Sequence, residues 1–147
     1  MVLFVMCVVF VVWVGVLAVG DLRTRRLPDV LTLPGALVIT GWAVVVEPWL
    51  LLGGVGWFLL YLVTAGVVGG IGGGDIKFAL GLGTVAAVGS VEGWVLAVVG
   101  SSLLTLMLSG VMTSGLVAGG GGRTGQVPHG PGMGLATCLA VWVTMPW

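Results

Sequence analysis

The chain has 147 residues, of which 59% are hydrophobic and only 7% charged, with five basic and five acidic residues and a formal net charge of zero. An ordinary water-soluble domain carries about 25% charged residues. The low charged fraction, together with a mean hydropathy of +1.26, excludes such a domain. The sparse, balanced charge also argues against a nucleic-acid-binding surface. The composition predicts a single domain over residues 1–147, folded in membrane lipid as an all-α integral membrane protein.

Apolar runs long enough to cross a bilayer follow one another along the chain. A helix needs roughly 17 to 25 apolar residues to cross a hydrocarbon core of about 30 Å. The first run has no basic segment before it, so it predicts a transmembrane helix rather than a cleaved signal peptide. The break between the fourth and fifth runs rests on Gly89-Ser90-Val91-Glu92-Gly93. The six predicted helices are Val2–Gly20, Val30–Val46, Trp49–Val68, Asp75–Val91, Gly93–Ala118 and Gly132–Trp147.

The charged residues divide between the two ends of this six-helix path. Glu47 and Glu92 fall at one end. Three tryptophans accompany them at the interface that indole rings prefer: Trp49, Trp94 and Trp147. All five basic residues fall at the other end: Arg23, Arg25, Arg26, Lys77 and Arg123. Because basic loops face the cytoplasm, the pattern predicts a bundle of six spans with both termini outside.

Two acids, Asp21 and Asp75, are predicted to lie together at the cytoplasmic end. Two carboxylates a few ångströms apart cannot both ionise easily, so one keeps its proton. The ionised carboxylate can take a proton from water as it attacks a carbonyl, while the protonated one donates to the carbonyl oxygen. This chemistry uses no metal and no cofactor. The chain has one histidine, His129, and no CxxC pair, so it predicts neither a zinc site nor a disulfide framework.

Each acid also has an ordinary structural interpretation. Asp75 can cap the fourth helix, whose first N–H groups favour an acid. Asp29, directly after Pro28, is predicted to cap the second helix, and Asp21 can pair with Arg25. Acids at the membrane edge are costly unless they have a function. Asp21 and Asp75 together therefore favour catalysis over capping.

A glycine-rich stretch ends directly on Asp75, with five glycines in the six positions before it. Such a stretch forms a poor helix and a mobile backbone. It serves either as a connector or as a segment whose backbone lets an extended substrate strand approach Asp75. It is no phosphate loop, because the Gly-Lys-Ser/Thr ending is missing. Gly72, Gly73 and Gly74 are therefore candidate substrate-binding residues.

The two polar stretches resemble the motifs of a known membrane protease family. Gly72-Gly73-Gly74-Asp75 is similar to the GxGD signature of membrane aspartyl proteases, and Ile76-Lys77 extends it to the GxGDxK form of type IV prepilin peptidases. Asp21, followed six and seven residues later by Leu27-Pro28 and then by Asp29, resembles the first motif of that family. Pro128-His129-Gly130-Pro131 is similar to its Pro-aromatic-Gly-Pro segment, with His129 replacing the aromatic residue. The resemblance covers essentially the whole chain.

This resemblance implies an endopeptidase of the bacterial inner membrane that removes the basic leader of prepilin or pseudopilin precursors, cutting after a Gly at the cytoplasmic face. It implies that Asp21 and Asp75 are the catalytic pair. Lys77 and Asp29 are expected to support the site, with Lys77 either orienting Asp75 or snorkelling to the interface. His129 is expected to pack. The chain starts at its first helix without CxxC motifs, so it looks like the minimal form of tight-adherence (Flp-type) pilus systems, and methyl transfer is not expected.

Two other functions remain open from the sequence. An intramembrane protease of the presenilin type would place its first acid in a Tyr-Asp motif inside a helix, whereas Asp21 follows Gly20 and precedes an arginine cluster. A small non-enzymatic membrane transporter or pilus-assembly subunit would use the acids to carry protons or to bind a partner. A proton path favours an acid near the middle of the membrane, and no predicted span has one there. The oligomeric state stays open.

Overall fold

The computed structural model describes residues 2–24, 27–69, 71–113 and 128–145, and within these residues the chain is all-helical, with six α-helices. The predicted order of helices is confirmed, with boundaries shifted by a few residues. Arg25, Arg26, Gly70, Arg123 and Trp147 lie outside the described residues, so predictions that depend on them stay predictions. The helices are α1 (Val2–Thr24), α2 (Asp29–Val46), α3 (Leu50–Val67), α4 (Gly73–Ala86), α5 (Val91–Thr113) and α6 (Gly130–Thr144).

Four of the helices contain a segment that is long and apolar enough to cross a membrane. These segments are Cys7–Thr24, Asp29–Val46, Leu50–Val67 and Val91–Val111, while α6 is a shorter apolar helix. With 14 residues, α4 is about 21 Å long at about 1.5 Å per residue. It ends at Ala86 rather than at the predicted Val91. The four segments support a multi-pass membrane protein, and the six-span path with both termini outside stays a prediction.

A short hydrogen-bonded turn separates α4 from α5, as the glycines around Ser90 predict. The N–H of Ala87 donates to the carbonyl of Gly83 at 3.2 Å and closes the last turn of α4. The hydroxyl of Ser90 then accepts the N–H of Gly93 at 3.0 Å. A serine oxygen that accepts a backbone N–H three residues later is a helix N-cap. The break between these helices therefore has a local cause in the sequence.

The centre of the bundle is α4, which packs against α2, α3, α5 and α6. Phe78 and Leu82 are fully buried, and the Trp13 ring of α1 meets Phe78 edge-on at a centroid distance of 5.3 Å. Glycines allow the close approach of α3 and α4, since a Cβ on Gly83 would lie 2.5 Å from the carbonyl oxygen of Gly53. In lipid, such close packing of small residues replaces the hydrophobic effect as the force between helices.

The helices have alternating directions, so their ends gather at two opposite ends of the bundle. Gly69 terminates α3 in the left-handed region, with φ of +77°, and its N–H donates to the carbonyl of Ala65 at 3.1 Å. This is the backbone conformation in which helices commonly end on glycine. The end of α1 and the starts of α2, α4 and α6 lie together, and we call this the site end. The ends of α2 and α4 and the start of α5 lie at the opposite end.

Candidate active site

Asp21 lies in the last turn of α1 and is buried, with 4% of its surface exposed. The prediction that the first helix ends at Gly20 is wrong, since α1 continues to Thr24. The N–H of Gly130, the first residue of α6, donates to Oδ2 of Asp21 at 2.9 Å. Because free N–H groups and the helix dipole make a helix start electropositive, this contact favours the ionised form of Asp21 and partly offsets the cost of burying its charge. Its predicted partner Arg25 lies outside the described residues.

Asp75 lies in the first turn of α4, at the site end. Its Oδ2 accepts the N–H of Gly72 at 3.2 Å, which is half of a capping box, so the capping interpretation is confirmed for this residue. Burial, together with the neighbouring Asp21 carboxyl, raises the pKa of Asp75 from 3.8 to about 6, against the opposing effect of the Gly72 N–H. Capping and a retained proton are compatible, because a carboxylic acid can accept at one oxygen while it holds a proton on the other.

Leu27 fills the space between the helix starts at the site end and is 8% exposed. A Cβ on Gly74 would lie 2.7 Å from the Leu27 Cβ, and one on Gly130 would lie 3.3 Å from the Leu27 Cδ2. A Cβ on Gly72 would meet Oδ2 of Asp75 at 3.1 Å, whereas one on Gly73 would meet no atom within 4 Å. Of the three glycines predicted to support the site, Gly74 is therefore sterically required, Gly72 lies close against the Asp75 carboxyl, and Gly73 is open.

Lys77 and Asp29 form an ion pair that the sequence did not predict. The ammonium Nζ of Lys77 lies 2.7 Å from Oδ2 of Asp29, and both side chains are partly exposed. The prediction that Asp29 caps α2 is wrong, because the N-cap position is Pro28, which makes no side-chain cap hydrogen bond. Lys77 contacts Asp29 rather than Asp75. The pair joins the start of α2 to the first turns of α4 beside Asp75.

His129 precedes Gly130, and its ring nitrogen Nδ1 is buried without a hydrogen-bond partner among the described residues. Burial lowers the pKa of His129, against the opposing effect of the Asp21 charge. The sequence predicted a packing role for this residue and missed its proximity to Asp21. It also missed Leu27 and Gly130 as site residues. The available signal was the Pro-x-Gly-Pro segment, in which the aromatic position holds a histidine.

The site end thus holds two carboxyl groups in different surroundings. Asp21 accepts a hydrogen bond from a helix start, and Asp75 is a carboxyl whose pKa lies near 6. Two coupled carboxyls of this kind can share one proton, which is the state needed for combined acid and base chemistry. Among the described residues, no group of three or more His, Cys, Asp or Glu side chains is placed to hold a metal ion, and Cys7 and Cys138 are free thiols.

Comparison with known proteins identifies the family. Residues 8–117, about three quarters of the chain, match the type IV leader peptidase family. The matched segment includes Asp21, Asp29 and Gly72–Lys77, while α6 with Gly130 lies outside it. No curated protein and no solved structure matched the chain. The chain therefore belongs to the type IV leader peptidase family, whose members hydrolyse peptide bonds.

Proposed function

We propose that the chain is an aspartyl endopeptidase that removes the basic leader from type IV prepilins of the Flp-like class, with Asp21 and Asp75 as its catalytic pair. The observation that carries the proposal is the coupling of the two carboxyl groups at the site end, where Asp21 contributes to the raised pKa of Asp75. The family match supports a prepilin-like substrate in general. The assignment to Flp-like prepilins is more specific than the family match, and it rests on the resemblance of the sequence motifs.

The surroundings of the two acids suggest a different role for each. Ionised Asp21, stabilised by the N–H of Gly130, takes a proton from water as the water oxygen attacks the scissile carbonyl carbon. Asp75, which retains its proton up to about pH 6, donates that proton to the carbonyl oxygen. The tetrahedral intermediate collapses when Asp21 gives its new proton to the leaving nitrogen and Asp75 recovers one from the intermediate's hydroxyl.

The start of α4 offers a path for the substrate backbone. Gly73 is exposed, with no atom within 4 Å of where its Cβ would be. An extended leader segment can therefore approach this backbone and exchange hydrogen bonds with it, as peptides do at other exposed backbone edges. Gly72 and Gly74 would bound this approach, and the ion pair of Lys77 with Asp29 would border it.

The charges at the site end support an orientation toward the cytoplasm. Arg23 and Lys77 both lie there, and basic residues near membrane spans favour the cytoplasmic side. The resemblance to type IV prepilin peptidases implies a precursor with a basic leader that is cut at the cytoplasmic face, and this agrees with the orientation. The proposed location is therefore the bacterial inner membrane.

Replacement of each acid by its isosteric amide tests the proposal. Asp21→Asn and Asp75→Asn are each expected to reduce leader removal by at least about 100-fold, since positioned acid–base groups typically contribute that much. Glu92→Gln is the matched control, because it removes an acid at the opposite end of the bundle, in the first turn of α5, and should cleave at the wild-type rate. Each variant is co-expressed with an Flp-like prepilin, and the precursor mass is followed. If Asp21→Asn or Asp75→Asn cleaves at the wild-type rate, the proposed pair is wrong.

A further inference from the structure

A cavity of about 480 Å³ lies at the opposite end of the bundle, remote from the two aspartates. It is formed by the connection between α2 and α3, the first turns of α3, and the turn from α4 into α5. Its walls are mainly aliphatic side chains and glycines, including Leu52 and Val88. Three side chains interrupt this apolar lining: Glu47, Trp49 and Trp94.

Local hydrogen bonds hold the cavity walls in place. The connection between α2 and α3 is a tight turn, in which the N–H of Leu50 donates to the carbonyl of Glu47 at 3.1 Å. The indole N–H of Trp94 donates to the carbonyl of Gly53 at 2.8 Å, which fixes the ring against α3. A Cβ on Gly56 would lie 3.4 Å from Cζ2 of the same ring. The carboxylate and the two indoles are therefore presented by short, ordered segments.

The charge in this cavity has no counter-ion in the part of the chain that is described. Glu47 is the charged residue of the lining, and the described ion pair, between Lys77 and Asp29, is at the site end. Arg23 also belongs to the site end. A cavity lined by one carboxylate and two indole rings favours an organic cation, because the carboxylate and the ring faces both attract positive charge. The aliphatic walls favour a hydrocarbon attached to that cation.

We propose that this cavity binds the ammonium headgroup of a phosphatidylethanolamine molecule, with its acyl chains lying along the outer faces of α2 and α3. The ammonium would donate a charge-assisted hydrogen bond to Glu47 and lie against the indole of Trp94. Trp49 is 75% exposed, which suits an indole at the level of lipid headgroups. Val45 and Leu52, both exposed, provide the apolar surface for the chains. The proposal does not depend on the peptidase reaction.

Native mass spectrometry of the detergent-solubilised protein tests this site. The protein is titrated with phosphatidylethanolamine and with phosphatidylglycerol of the same acyl chains, and the fraction carrying one lipid is measured. Wild type is expected to retain phosphatidylethanolamine about tenfold better, the effect of one charge-assisted hydrogen bond. Glu47→Gln should abolish this preference, because it removes the charge while keeping the size of the side chain.

Glu92→Gln is the matched control, because Glu92 is an acid of the same end that does not belong to the cavity lining. It should keep the wild-type preference, and Trp49→Leu should reduce it. Equal retention of the two lipids by wild type, or an unchanged preference in Glu47→Gln, would overturn the proposal. Soluble glycerophosphoethanolamine should not compete with phosphatidylethanolamine at equal concentration. Full competition would also overturn the proposal, since the site would then bind the amine headgroup without needing the acyl chains. The measured quantity is bound lipid and not peptide cleavage, so this test stays valid even if the peptidase proposal fails.

Discussion

The backbone amide of Gly130 is the contact that most directly links the fold to the charge on Asp21. The perturbation is Gly130→Ala, which leaves the amide in place but adds one carbon beside it. The new Cβ would lie 2.9 Å from Oδ2 and 3.3 Å from Cβ of Asp21. Neighbouring atoms rarely approach a Cβ so closely, so the carboxyl must move away and stretch the 2.9 Å hydrogen bond from the Gly130 N–H.

The size of the effect follows from that hydrogen bond. A hydrogen bond to a charged group contributes about 1.5 to 3 kcal/mol, and about 1.4 kcal/mol corresponds to a tenfold change in rate. Gly130→Ala is therefore expected to lower kcat/KM for leader removal by roughly 10- to 100-fold. Alanine also favours a helix over glycine by up to about 1 kcal/mol, which offsets only part of the lost hydrogen bond. The unfolding temperature should therefore also fall, but by less than the full value of that hydrogen bond.

The assay is cleavage of an Flp-like prepilin by purified enzyme in proteoliposomes, with thermal unfolding measured on the same samples. Gly41→Ala is the matched control, because it adds the same carbon to a helix, away from the site end, at a position where no atom lies within 4 Å. The control should stay within about threefold of wild type, since it removes no hydrogen bond. If Gly130→Ala cleaves as fast as Gly41→Ala, the Gly130 amide does not support the reacting carboxyl.

Three further predictions concern the remaining polar groups of the site end. Because the pKa of Asp75 is raised to about 6, kcat/KM should fall about tenfold per unit of pH above that value, as the singly protonated pair is lost. A flat pH profile between about pH 6 and about pH 8 would contradict this. His129→Phe removes a buried nitrogen without a described partner, so its unfolding temperature should equal or exceed that of wild type, and a marked decrease would mean that Nδ1 has a stabilising partner. The ion pair of Lys77 and Asp29 is partly exposed, so a double-mutant cycle of Lys77→Gln and Asp29→Asn should give a coupling below about 1 kcal/mol in thermal unfolding. A coupling of about 3 kcal/mol would show instead that the pair acts as a buried ion pair.

Local signals predicted the helices correctly because each signal acts within a few residues. Apolar runs indicated the helical segments, and the Gly89–Gly93 stretch indicated the break that the Ser90 hydroxyl produces. Where two local signals competed, the prediction was less accurate. Asp29 follows Pro28 and was expected to cap α2, yet Pro28 itself occupies the cap position. The polar residues after Gly20 suggested a helix end, but α1 continues for one more turn to Thr24.

The candidate site was predicted in part. The alternating helix directions and the GxGD motif indicated Asp21, Asp75 and the nearby glycines. They did not indicate that Gly73 is open while Gly74 packs on Leu27, because that difference depends on which side of the α4 start faces the α1–α2 connection. The partner of Lys77 was also missed, since a long side chain can reach several acids and only the packing of α2 on α4 selects Asp29.

The sequence by itself indicated lipid as the solvent, the helices, their order and the two candidate acids. Hydropathy, glycine and proline act locally, and a helix satisfies its own backbone hydrogen bonds in lipid. Only the tertiary structure decided what surrounds those acids. The Gly130 amide reaches Asp21 across 109 residues, and the raised pKa of Asp75 depends on burial and on Asp21. Such contacts depend on how α1, α4 and α6 pack at one end of the bundle, and no local pattern specifies that packing.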